Sequence, residues 1–251
     1  MKILYYDCFA GISGDMNLAS MIDLGVDAGF LQKELSKLGL DDEFELQVRK
    51  DSKMGIGGTK VTANLKTPGQ QEHPHAHLHH SHRNLNDIKK IIDGSDLGPA
   101  VKKTAIDIFG TLARAEAKVH GEKIEEIHFH EVGATDAIVD IVGAAICYHK
   151  LDVDHVFARP VELGGGFVKC MHGIMPVPAP ATVQILKACP VTLGAVQSET
   201  TTPTGAAILR TLVHNFAPPR ELKISKIGYG IGHRDTELPN ILRVFMGETE
   251  K

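Results

Sequence analysis

Six of the ten residues from 73 to 82 are histidine: His73, His75, His77, His79, His80 and His82. Imidazole is the side chain that nickel, zinc and copper take most readily. A run this dense captures metal without needing a folded site. Pro74, Ala76, Leu78 and Ser81 interrupt it, which predicts a flexible segment through which metal passes. The run names neither the metal nor the reaction, and a plain polar linker is the competing reading.

A second cluster carries more defined chemistry. His128, His130, Glu131, Asp136 and Asp140 lie within 13 residues (128–140). Asp136 and Asp140 are four apart and share one helix face. The rest of that helix, from Ala137 to Ile146, is apolar nearly all round, the pattern of a buried helix. Carboxylates on such a helix are costly unless paired or used. The cluster therefore predicts a metal or acid/base site, with Asp136 as a helix cap the alternative.

Three glycine-containing loops follow. In Asp7–Met16, a strand leads through Gly11, Ser13 and Gly14 to Asp15 and a helix start. That is a setting in which backbone N–H groups can meet a phosphate. After a second strand come Gly164, Gly165 and Gly166, then Cys170 and His172, which add a soft and a borderline metal ligand. Near the end, Gly228, Gly230 and Gly232 alternate before Arg234, whose guanidinium suits a phosphate or carboxylate. The hydroxyl-rich stretch Glu199–Gly205 either binds an anion or caps the helix after it.

The elements that must hold these residues follow from periodicity. Strands are predicted at 2–8, 43–50, 58–65, 124–129, 154–162, 191–197, 221–228 and 240–247. Helices are predicted from about 16, and at 28–38, 85–93, 99–119, 134–149, 179–188 and 204–214. This alternation is α/β, with α+β as the alternative: a sheet flanked by helices and interrupted by a disordered His-rich loop. Residues 1–66 and 85–251 are expected to share one compact domain around the loop at 67–84.

Composition narrows the function classes. The 251 residues are 43 % hydrophobic and 23 % charged, with a net charge of −4 and no Trp. Nothing there favours nucleic acid, which calls for a basic, often aromatic surface. The start Met1–Asp7 is a strand, not a signal segment, and no apolar stretch reaches the ~20 residues of a membrane span. The four cysteines, Cys8, Cys147, Cys170 and Cys189, form no CxxC pair. Free thiols in the cytoplasm are the expectation.

Taken together and in order, DCFAGISGDM, the mid-chain His-rich segment, FHEVGATDAIVDIVG, GGGFVKCMHGIMPVPAPAT, ETTTPTGA and GYGIGHRDTELPNILR resemble the LarC family of nickel-insertion proteins. These are also described as pyridinium-3,5-bisthiocarboxylic acid mononucleotide nickel chelatases. The resemblance spans nearly the whole chain. It implies a lyase-class enzyme that inserts nickel into an organic mononucleotide with formation of a nickel–carbon bond. It further implies dependence on CTP and Mn or Mg, and lactate racemase or a related nickel-pincer enzyme as recipient. Family members are typically longer, with a C-terminal domain associated with CTP. This chain is accordingly read as the N-terminal domain, and a homo-oligomer is possible.

On that reading Gly11, Ser13, Gly14, Gly164, Gly165, Gly166 and Arg234 hold the mononucleotide. Asp15, Asp136 and Asp140 are the catalytic candidates, and Asp136 or Asp140 takes the displaced proton. His128, His130, Glu131, Cys170 and His172 hold nickel, fed by the six histidines of 73–82. Two other readings compete: a non-enzymatic nickel chaperone, and a metal-dependent hydrolase of a small phosphorylated substrate.

Overall fold

The computed structural model describes residues 1–66, 83–124, 127, 129, 135–170 and 173–250, without the side chains of 169 and 170. The elements run in the order β1 (Lys2–Asp7), α1 (Gly14–Asp23), α2 (Ala28–Ser36), β2 (Phe44–Lys53), β3 (Ile56–Leu65), α3 (Leu85–Gly94), α4 (Pro99–His120) and α5 (Thr135–Leu151). They continue with β4 (His155–Ala158), β5 (Val161–Glu162), β6 (Phe167–Cys170), β7 (Gly173–Pro176), α6 (Pro180–Ile185), β8 (Val191–Thr192), α7 (Pro203–Leu212), β9 (Lys223–Ile231) and β10 (Ile241–Glu248). The α/β expectation holds. Among the described residues, no helix is long and apolar enough to cross a membrane.

Six strands form one mixed sheet in the order β2-β3-β9-β10-β1-β4. It draws on both the first 66 residues and the chain after 85. β1 runs parallel to β4 and antiparallel to β10, with Leu4 opposite Met246 and Tyr6 opposite Val244. Alternation sorts the two faces. Leu4, Tyr6, Leu242, Val244 and Met246 point into the main core. Tyr5 and Phe245 stack on the other face, ring centroids 5.9 Å apart.

α1 lies across β9 and β3 and packs on α5. α5 is apolar all round because it is enclosed: Ile138, Val139, Ile141 and Val142 have no exposed surface. α4 starts on Pro99 and ends on Gly121 at φ 70°, a left-handed stop that glycine makes at little cost.

Several local expectations change. The strands predicted at 43–50 and 58–65 extend toward each other into the long hairpin β2–β3, closed at Met54 (φ 49°) and Gly55 (φ 80°). Positive φ at both corners matches the right-handed twist of the strands. The strand predicted at 154–162 breaks into β4 and β5 at Arg159-Pro160, where proline offers no N–H to continue a ladder. The strand predicted at 191–197 is only β8. A hairpin, β6–β7, stands between Gly166 and Pro178, where no strand is predicted. Of the strand predicted near 124–129, residues 125, 126 and 128 lie outside the described residues. Ile127 and Phe129 are buried but not in a strand.

The largest change concerns the alternating glycines. Gly228 and Gly230 lie in the last residues of β9 and Gly232 follows directly on it, so they end a strand rather than form a loop. A Cβ on Gly230 would run into the carbonyl of Met16, and one on Gly228 into that of Ser20. These glycines exist so that α1 can lie directly on the sheet.

Candidate functional site

Three loops meet above β1 and β5: residues 8–13, 163–166 and 193–202. Glu162 ties two of them together. Its side chain is 3 % exposed and accepts from the N–H groups of Gly164 and Ala195, both at 3.0 Å, and from Thr192 Oγ1 at 2.5 Å. Its carbonyl accepts from Thr200 Oγ1 (2.8 Å) and Thr201 Oγ1 (2.7 Å). A buried carboxylate is tolerable only with such a set of donors. Glu162→Ala strands three of them and is expected to cost about 2 kcal/mol, read by urea unfolding. An unchanged midpoint would show the loops to be held by other contacts.

The loop glycines serve this assembly. Gly11 (φ +79°) has the carbonyl of Thr200 where a side chain would go, and Gly164 (φ +77°) has that of Ser198. The space a phosphate would need at these two positions is filled by the chain's own backbone. Ile12 bridges Thr201, and Thr202 N–H donates to the Ile12 carbonyl at 3.1 Å. The loops are thus packed on each other, a use of glycine that sequence alone does not distinguish from ligand approach.

Below them opens a cleft of about 630 Å³. Its walls are the start of α1, the last turns of α4, the first turns of α5, the inner face of β6–β7 and the starts of α6 and α7. Asp15 and the sequence-distant pair Asp136 and Asp140 all line it. So do Ser13, Gly14 and Arg234, whereas Gly11, Gly164, Gly165 and Gly166 do not.

Asp140 is the most perturbed of these groups. Burial pushes its carboxyl well above the usual carboxylate range, and the negative charges of Asp15 and Asp136 push it further. Gly14 is obligatory at this point: a Cβ there would lie 2.6 Å from the Asp140 Cβ. Gly14 therefore makes room for a carboxyl of the protein itself. Asp136 is exposed at the first turn of α5 and accepts from Ala137 N–H at 2.8 Å, so the helix-end reading describes that contact. Arg234 donates to the Glu199 carbonyl (2.6 Å) and to Glu199 Oε2 (2.9 Å). It reaches the cleft already braced on a neighbour.

The residues that sequence reasoning passed over are Glu116 and His120 on α4, and His233. Glu116 and His120 are an i,i+4 pair 3.4 Å apart, and that spacing was the available signal. His233 Nε2 lies 3.3 Å from Asp15 Oδ2, a contact with no signature in the sequence.

Glu43 gathers a separate cluster beside the start of α5. Its two carboxylate oxygens accept from Arg83 Nη2, at 2.6 and 2.8 Å, and Oε2 also accepts from Thr135 Oγ1 at 2.5 Å. Its carbonyl accepts from Lys66 N–H at 2.8 Å. Burial opposes the Glu43 charge, but Arg83 and Thr135 outweigh it and hold the carboxyl below the usual range. Lys66 and Arg83 flank the His-rich segment, and Thr135 opens α5. Lys66 and Arg83 are thus both tied to Glu43, which also holds Thr135, the residue before Asp136.

The metal candidates His73, His75, His77, His79, His80, His82, His128, His130, Glu131 and His172 lie outside the described residues, as does the side chain of Cys170. Among the described residues, no group of three or more His, Cys, Asp or Glu is arranged to hold a metal ion. Cys8, Cys147 and Cys189 are free thiols. Burial raises the Cys8 thiol beyond any useful range and Cys147 to about 12, so neither is a ready ligand.

The fold and cleft define an α/β protein with a paired-carboxyl pocket suited to moving a proton beside a small ligand. The family described as nickel insertion protein matches residues 4–251, and the chain belongs to that family. It is similar to the pyridinium-3,5-bisthiocarboxylic acid mononucleotide nickel insertion proteins of Clostridium kluyveri, 57 % identical over 252 residues, and Clostridium acetobutylicum, 53 % over 272. It is likewise similar to that of Akkermansia muciniphila, 52 % identical over 252 residues. Each alignment covers 100 % of this chain but only 63 %, 65 % and 61 % of the respective relative. No solved structure matches the chain.

Proposed function

We propose that this chain carries the site at which nickel is inserted into pyridinium-3,5-bisthiocarboxylic acid mononucleotide, during maturation of the nickel-pincer cofactor of lactate racemase or a related recipient. The observation that carries this reading is the Asp140 carboxyl, half-buried on the wall of a ligand-sized cleft that Asp15 and Asp136 also line. When nickel bonds to a ring carbon, the C–H bond breaks and its proton must go to a base within hydrogen-bond reach. A carboxyl lifted above its ordinary range by burial and like charge is a stronger base than a free one. The start of α7 and Arg234 offer polar contacts for the phosphate end. Ring and thiocarboxylates then lie toward α5.

Nickel is the metal substrate here. It is taken up by the histidines of 73–82 and passed to His128, His130, Glu131, Cys170 and His172. The support is positional: the roots of the His-rich segment sit at Glu43, beside the start of α5. CTP and its Mn or Mg ion are assigned to the part of the longer relatives that this chain does not span. Its own loop glycines do not fit a triphosphate, because the carbonyls of Thr200 and Ser198 fill the positions at Gly11 and Gly164. No step on this chain is routed through CTP. A cytoplasmic setting suits the free thiols.

The direct test incubates the chain with nickel and the mononucleotide, with and without CTP, and measures nickel in the nucleotide fraction. Nickel that stays with the protein or in solution under all conditions would sink the reading. Deleting residues 73–82 is expected to raise the nickel concentration needed while leaving the maximal insertion rate within about twofold. Loss of insertion at saturating nickel would favour the chaperone reading. Nickel calorimetry on the variant with all six histidines changed to alanine should show a lower stoichiometry; an unchanged value would place the loose metal elsewhere.

A further inference from the structure

Asp15 is held from two sides. Its Oδ1 accepts the hydroxyl of Ser13, and its Oδ2 faces His233 Nε2 at 3.3 Å. The His233 side chain is 47 % exposed and that of Asp15 22 %. Asp140 lies deeper, against Gly14, the residue before Asp15, and the Asp15 charge helps raise its carboxyl. His233, Asp15 and Asp140 thus form a line from solvent into the cleft, assembled from the end of β9, the first turn of α1 and α5.

The other charged groups around this line have carboxylate partners of their own. Lys53 pairs with Asp235, Lys60 approaches Asp51 at 4.0 Å, and Arg234 holds Glu199 at 2.9 Å. On the far side of Asp140 are Asp136, and across the cleft the Glu116–His120 pair. His233 touches Asp15, and Thr62 Oγ1 on β3 lies 3.5 Å from the same ring nitrogen.

We infer that His233 is a positioning residue for the insertion chemistry: it braces Asp15 from the solvent side and thereby governs how readily Asp140 takes up the proton leaving the substrate ring. This rests on the reading of Asp140 as the proton acceptor. A positive charge at His233 offsets that of Asp15 and makes Asp140 a weaker base. A neutral ring leaves the Asp15 charge unopposed and makes Asp140 a stronger one. The cleft is partly screened from water, so the charge acts across the short line rather than dissipating in solvent.

The test needs no substrate. The carbonyl stretch of a protonated carboxyl, assigned to Asp140 by its loss in Asp140→Asn, is titrated by infrared difference spectroscopy in the full chain. His233→Arg fixes the positive charge and His233→Gln removes it. The Asp140 midpoint is expected lowest with Arg and highest with Gln, separated by about half a pH unit or more. In an Asp15→Asn background the separation should shrink markedly, because the bracing of Asp15 is lost and only the weaker direct effect of the charge at 233 remains. Circular dichroism and the melting temperature confirm that each variant folds. Coincident midpoints with Asp15 intact would overturn the inference. In the insertion assay the acidic limb of the rate should follow the same order. If the midpoints move but Asp140→Asn still inserts nickel at the parent rate, the proton-acceptor reading fails instead, and with it the role of His233 in insertion.

Discussion

Asp140→Asn is expected to lower nickel insertion by about 10²–10⁴-fold, the usual contribution of a positioned general base, with the fold intact. Asn keeps the size and much of the hydrogen-bonding capacity but cannot take the proton. Stability should move the other way. The folded-state value of Asp140 is raised above its unfolded value, close to 3.8. Its protonated form therefore supports the fold below about pH 4, and that support is lost as pH rises through the raised value. Asn mimics the protonated form, so the variant should gain melting temperature over the parent as pH rises from 4 and hold the gain at alkaline pH. Relieving buried charge is often neutral or stabilising. Thermal melts across pH, run beside the insertion assay, separate the two outcomes. A fall in activity matched by a fall in melting temperature would make Asp140 a structural residue.

Gly230→Val should cost about 3 kcal/mol or more, at the upper end of overpacking effects. The added Cβ would meet the Met16 carbonyl, with Ser20 N only 2.9 Å away. Both are helix backbone and cannot turn aside as a side chain would. α1 would have to lift from β9, carrying Asp15 away from Asp140. Gly57→Val is the control: it sits in a strand with nothing within 4 Å of the added atom and should stay within about 0.5 kcal/mol of the parent. Guanidinium unfolding of both variants decides the matter. Equal midpoints would mean that α1 does not lie on β9 as described.

The cleft is partly legible in the sequence. A buried helix bearing Asp136 and Asp140 stands out there, because carboxylates in an apolar surround are too costly to be incidental. Asp15 is legible as a loop-to-helix residue, and the three aspartates do share one cleft. The glycines are less informative. Gly11, Gly164 and Gly230 each satisfy a close approach, but what approaches is the backbone at Thr200, Ser198 or Met16. A sequence records that a side chain is missing, not what occupies its place.

Sequence by itself determined most of the helices and the longer strands, the α/β class, the apolar enclosure of α5 and the density of metal-seeking histidines. These follow from local periodicity and side-chain chemistry, which act over a few residues. Only the tertiary structure decided that β1 pairs with β10 at the far end of the chain, that Arg234 is braced on Glu199, and that His233 stands against Asp15. Each joins residues that no local pattern relates: Asp15 and His233 are more than two hundred positions apart and meet because β9 crosses beneath α1. The strength of Asp140 as a base belongs to this second kind. It arises from burial and from neighbours on other elements, which the chain acquires only by folding.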